Sequence, residues 1–409
     1  MDENLPDHWS ATENVAWKVE APGRGFSSPV VWSDRIYLTT SIEGEAVPGI
    51  KGATHVYLGE IFAHPDSVGA DRHYKLFALC YRTSDGNMLW QKLAYDGPVF
   101  EQRHKQNSYA TPTPLVDESG VYGYFGSEGL YKFDHAGDLK WKMSPGNLAA
   151  LGIGVAGSPA MDSERIFLQC DLEERQQSFV MAVDKRSGKE IWKTPRKAND
   201  GDVTAGWATP LLIHGAKRDE LALVGSKMLI AYDPSTGKEL WRSTKGVLGI
   251  PCASPVAGHG MVFAQAGLPD KRVIAVPLGG SGEVEPKWAY PKGAGYVPSP
   301  TVYGDYLYVM SDTGVLTCLD ARTGTRVYEA RPPEPGDYLA SAIAFGGKLF
   351  VTNSDGETTV IRAGPKHEVL RTNSLGEPVF ASFALANGSI FVRAEHHLYR
   401  ITGPALRSH

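Results

Sequence analysis

Cysteine is sparse and scattered. Four occur in 409 residues, at Cys80, Cys170, Cys252 and Cys318, with no vicinal pair, no CxxC and no zinc spacing. Their neighbours read as strand interiors, so buried free thiols are expected and the compartment stays open. No apolar run approaches the roughly 18 residues that a membrane span needs. No block of five like charges occurs and the net charge is only −5, which makes nucleic acid and anionic membrane poor partners. The opening Met1-Asp-Glu-Asn-Leu-Pro6 has neither a basic nor an apolar leader segment. The expectation is a cytoplasmic protein or a signal lying ahead of this sequence.

Glycine and proline are plentiful, at 45 and 27, and with many Val, Tyr and Trp they favour short strands punctuated by turns. Two marks recur. The first is a Ser or Thr, usually before Pro, opening an apolar strand. It stands at Ser28, Thr111, Ser158, Thr209, Ser254 and Ser299, with weaker copies at Ser341 and Ser382. The intervals are 83, 47, 51, 45, 45, 42 and 41 residues, so one unit carries an insertion, placed at residues 41–74. The second mark is a Gly turn followed by a strand ending in Trp90, Trp141, Trp192, Trp241 or Trp288, with Tyr328 as a variant. Four short strands in a unit of about 45 residues is the pattern of a propeller blade.

The last unit, from Ser382, lacks its Trp strand, while Glu13-Asn-Val-Ala-Trp17-Lys-Val-Glu20 precedes the first unit with no opening strand of its own. Residues 14–20 are therefore expected as the outer strand of blade 8. Closure of that kind removes two exposed sheet edges. The expectation is an all-β chain, 1–409, forming a single eight-bladed β-propeller. A monomer is expected.

The repeat, with Ala182-Val-Asp184, Ala231-Tyr-Asp233 and Cys318-Leu-Asp320 before its Gly turns, resembles the PQQ-type repeat of quinoprotein alcohol dehydrogenases and of the outer-membrane assembly propeller. Trp9-Ser-Ala-Thr-Glu-Asn-Val-Ala-Trp17, Pro22-Gly-Arg-Gly-Phe-Ser-Ser-Pro29 and Lys105-Gln-Asn-Ser-Tyr-Ala-Thr-Pro-Thr-Pro114 are similar to strings in secreted PQQ-binding-like propellers of planctomycete-type bacteria. The resemblance implies an exported, periplasmic or extracellular location and no settled reaction. In the resembling dehydrogenases PQQ lies between a Trp and a disulfide of adjacent cysteines, with calcium beside it. This chain lacks adjacent cysteines, so PQQ is not expected.

In an antiparallel meander the B-to-C and D-to-A connections emerge on one face. That face receives the insertion, bearing His55, His64, Asp66, Asp71 and His73, and the 94–109 connection, bearing Glu101, Arg103, His104, Lys105 and Asn107. It also receives Asp171, Glu173, Glu174, Arg175, Asp200 and Asp202. Loops longer than usual are more often functional. Candidate catalytic groups are His104, Asp171, Glu173 and Asp202; a hard metal such as Ca²⁺ is chemically open to such carboxylates. Candidate ligand-binding residues are Arg24, Phe26, Arg103, Asn107, Tyr109, Trp207, Tyr296, Tyr338 and Phe380, most of them an aromatic rim around the funnel. Surface solvation and packing between blades compete with these roles.

Gly152-Ile-Gly154-Val-Ala-Gly157 matches GxGxxG but runs into a strand, where a phosphate cradle needs a helix. The expected function is a binding or scaffold propeller recognising a polymer, such as a polysaccharide, or a protein partner through the loop face. The alternative is a carbohydrate-active hydrolase or lyase in the same funnel. A PQQ-dependent dehydrogenase and an outer-membrane assembly factor rank below these.

Overall fold

The computed structural model describes residues 5–173, 176–198, 201–202, 205–245, 249–268 and 271–403. The described residues form eight blades of one ring, each a four-stranded antiparallel meander, with one blade sheet extended by a fifth strand. Blade 1 is Val30–Trp32, Arg35–Ala46, Arg72–Arg82 and Met88–Pro98. Blade 8 is closed as the sequence predicts. Val15–Glu20 pairs with His397–Thr402, which continues through Ser389–Arg393 to Ala384–Ala386.

The two middle strands of each blade lie between neighbouring blades and bury both faces, so they read as unbroken apolar runs. Gly120–Tyr124, Met228–Tyr232 and Met261–Ala266 are buried throughout. Outer strands alternate, as in Val15–Glu20, because one face meets solvent. Pairing to the outer strand slips by one residue beside the Trp position in blade after blade, at Lys132/Phe133, Ala182/Val183, Ala231/Tyr232 and Cys318/Leu319. This is a repeated β-bulge that re-aims the indole.

Each Trp then locks the next blade. Trp141 Nε1 donates to Lys185 O at 3.1 Å, and Gly188 of that same turn lies flat on the indole. A Cβ there would stand 2.7 Å from the ring and φ is +71°, so only glycine fits without strain. Blade 4 departs from the scheme. Trp241 is fully buried and donates instead to Glu220 Oε2 at 2.7 Å, while Gly282–Glu283 adds a parallel fifth strand over its edge.

The Ser/Thr mark has a different job from opening strands. The backbone N–H of each such residue donates to the hydroxyl of the next blade's copy. The series runs Ser28 to Thr113, Thr113 to Ser158, Ser158 to Thr209, Thr209 to Ser254, Ser254 to Ser299, Ser299 to Ser341 and Ser341 to Ser382, at 2.9–3.1 Å. In blade 2 the member is Thr113 and not Thr111, because the sequence offers two Thr-Pro pairs in tandem. At the seam between blades 8 and 1, Arg393 Nη1 reaches Ser27 Oγ and Thr39 O.

Candidate funnel on the loop face

The strand pair of blade 1 runs further than the sequence suggests, to Ala46 and from Arg72, so the connecting segment is 47–71. Within it His55–Tyr57 and Glu60–Phe62 form a hairpin. Tyr57 and Phe62 pack against a buried cluster of Ala150, Leu151, Ala205 and Trp207, the last two from the connection into blade 4. The hairpin thus reaches from blade 1 across the mouth. Ser67–Val68 pairs with Arg103–His104, clasping the insertion to the connection between blades 1 and 2.

Beneath lies a cavity of about 470 Å³. Phe26, Trp207, Tyr296 and Phe380 supply its aromatic surface, His64, His104 and Asn107 its polar side, and Ser254, Ser299 and Ser341 part of its hydroxyl floor. Each floor hydroxyl accepts an amide from the preceding blade and keeps its own O–H to donate. Phe26 and Phe380 meet at 4.8 Å across the seam, and the Arg24 guanidinium lies over the Phe26 ring at 5.1 Å. Trp207 is anchored through Nε1 to Gly154 O at 2.6 Å. The GxGxxG stretch therefore serves as a close-approach loop, with Gly152 and Gly154 at positive φ against His55 and Arg103.

Several other sequence candidates stand away from the cavity lining. Tyr109 is buried, donates to Glu101 O and meets Tyr74 edge-on, and burial raises its phenol pKa. Tyr338 is buried and donates to Glu334 O. Arg103 is buried and braces its own loop, donating to Asn107 O and facing Glu43 at 3.6 Å. Asp171 is bound on both oxygens by Arg196, at 2.6 and 3.2 Å. Glu173 Oε2 lies 2.7 Å from His55 Nδ1, and Glu101, 3.9 Å from the same nitrogen, has its pKa pushed well above the ordinary carboxylate value by burial. Asp202 pairs through its backbone with Lys197; its side chain lies outside the described residues, as do Glu174, Arg175 and Asp200.

Two residues of the insertion that the sequence reading does not single out stand at the edge of this cavity. His64 and Asp66 stand beside His104, with the three ligating atoms within 4.8 Å of one another. The imidazoles meet edge-on at 5.3 Å and His104 Nε2 is 3.5 Å from Asp66 Oδ2. Lys105 Nζ, 2.8 Å from the other oxygen, lowers the Asp66 pKa, with His104 adding to it. Partial burial and His64 lower that of His104, against the pull of Asp66. Two imidazoles and one carboxylate are donors for borderline divalent cations more than for calcium.

A family profile described as outer membrane protein assembly factor BamB, PQQ_2, matches residues 77–204 and 176–336, together more than half of the chain. The chain belongs to the PQQ_2 family. The BamB of Burkholderia pseudomallei (strain K96243) is 23% identical over 339 residues, 76% of this chain and 81% of that protein. The crystal structure of BamB from Moraxella catarrhalis matches with a TM-score of 0.55 at 12% identity, covering 86% of this chain and 99% of that one. Quinohemoprotein alcohol dehydrogenase from Comamonas testosteroni matches at 0.62 and 11% identity, covering 98% and 79%. At these identities the structures share the fold alone. The sequence holds no pair of adjacent cysteines of the kind that cradles the quinone in the resembling dehydrogenases. Cys252 alone among the four cysteines lines the funnel, and Asp171 and Glu173 are engaged by Arg196 and His55.

Proposed function

We propose that this propeller is an exported binding module that takes a polymer segment, foremost a saccharide chain, into the loop-face funnel. One observation carries the reading. The cavity wall combines aromatic faces with hydroxyl donors, while Asp171 and Glu173 are turned to buried partners, Arg196 and His55. Rings such as Trp207 and Tyr296 can stack on sugar faces, and the hydroxyls can bond to sugar oxygens. Likeness to a family described by an outer-membrane assembly factor supports export.

The test is a glycan array probed with the full chain beside a peptide array, followed by Trp207→Ala. We expect retention of a saccharide class without turnover, weakened at least tenfold by the substitution. Selective capture of peptides with no glycan retention overturns the saccharide assignment in favour of a protein partner, the kind of role named for the B. pseudomallei relative.

The His104–Asp66 pair at the cavity edge favours a second reading, acid/base cleavage of a bound saccharide. It predicts time-dependent release of reducing ends that His104→Ala abolishes.

A further inference from the structure

We propose that His64, Asp66 and His104 form a binding site for one borderline divalent cation, of the zinc type, at the rim of the funnel. The site does not depend on which polymer the funnel takes. Its residues come from two segments far apart in the sequence, His64 and Asp66 on one and His104 on the other, brought together by the pairing of Ser67 with His104 and Val68 with Arg103. Lys105 N donates to Asp66 O at 2.9 Å and His104 N to Ile153 O at 3.0 Å. The backbone that carries the donors is thus held by hydrogen bonds of its own, leaving side-chain rotation as the only adjustment. Ligands at about 2.0–2.1 Å around a tetrahedral ion stand roughly 3.3 Å apart. Atoms already within 4.8 Å of one another close that gap by small torsions.

Three further observations define the site. Both imidazoles line the cavity, so a cation held by three protein ligands keeps a coordination position open toward the funnel, the arrangement of reactive zinc sites and not of closed structural ones. All three side chains are half-buried, which limits competition from bulk water. Finally, the Asp66 carboxylate already holds positive charge, the Lys105 ammonium at 2.8 Å. That ammonium occupies the role the metal would take and must swing away into solvent, toward which its side chain is 60% exposed.

The rings set the affinity. His64 Nδ1 accepts the Asp66 amide at 3.1 Å and His104 Nδ1 the Gln106 amide at 3.2 Å. For His104, Nε2 is the atom facing Asp66. Ligation through Nε2 moves the ring proton to Nδ1 and gives up these long turn contacts. Binding is therefore weaker than in a site whose Nδ1–H groups face carbonyls.

Full-length protein stripped with EDTA and titrated with Co²⁺ tests the assignment by visible absorption, with Zn²⁺ as displacing ion. We expect one saturable equivalent with a ligand-field band, lost on Zn²⁺ addition. His64→Asn and His104→Asn should each weaken it at least tenfold, with unchanged circular dichroism. Lys105→Met should tighten it several-fold, an effect a merely surface-bound ion would not show. No saturable uptake by the wild-type protein overturns the proposal. So does uptake that both histidine variants leave unchanged, or saturable Ca²⁺ binding where Co²⁺ fails. Glycan retention read with and without EDTA keeps the result separate from that of the binding reading.

Discussion

Arg196 Nε and Asp171 Oδ1 lie 2.6 Å apart, and neither side chain has any exposed surface. Arg196 Nη2 completes the fork to Oδ2 at 3.2 Å. Removing one member of a buried pair strands the other charge, at a cost of about 3–5 kcal/mol. Asp171→Asn is therefore expected to lower the urea midpoint sharply. Ligand retention at temperatures where the variant stays folded should be near wild type. Equal stability with lost retention would return Asp171 to the functional site.

Gly188 and Gly304 both hold positive φ, +71° and +58°, but a Cβ at Gly188 would press on Trp141 while Gly304 faces open space. Both alanine variants bear the backbone strain, and only Gly188→Ala adds overpacking. We expect Gly188→Ala to be about 1–3 kcal/mol less stable than Gly304→Ala, read from paired denaturant curves.

Glu128, which accepts Phe100 N at 2.8 Å, has its pKa raised to about 7 by burial. The folded protein therefore holds this proton over a range where the unfolded chain has released it. Stability from this group is full below about pH 4.5 and declines as pH rises through about 7. Urea midpoints at pH 5 and pH 8 should differ more in the wild type than in Glu128→Gln. An identical difference in the two proteins would contradict the assignment.

Trp17 completes the ring, donating Nε1 to Thr83 O at 2.9 Å with Gly86 seated on its indole. Trp17→Ala removes that bond and an aromatic contact with Phe391. A loss of about 2 kcal/mol or more is expected, visible as a lower Tm, and proteolysis should begin at the seam between blades 8 and 1.

The ring was legible because it repeats. Trp141, Trp192 and Trp288 meet the same glycine turn each time, so periodicity alone exposes the blade count and the missing strand. The site was legible only in part. Phe26, Trp207, Tyr296 and Phe380 precede opening strands and do line the cavity, yet Tyr109 and Tyr338 hold equivalent sequence positions and turn inward to bond loop carbonyls. Nothing local distinguishes the two groups; the difference lies in loops packed from elsewhere. Asp171 finds Arg196 25 residues on, and Glu173 finds His55 118 residues back, so their engagement is a tertiary fact. His64 and Asp66 join His104 through a pairing only two residues long, too short to carry any periodic signal.

The amide-to-hydroxyl series around the floor all points one way round the axis, from each blade to the next. Such a link has no knowledge of its number: any blade can follow any other through the same single bond. What closes the ring is the seam, where Arg393 and the strand of Trp17 join the last blade to the first. A duplicated or deleted middle blade would find its neighbours ready to receive it, so the ring could grow or shrink within its interior while the seam stayed as it is.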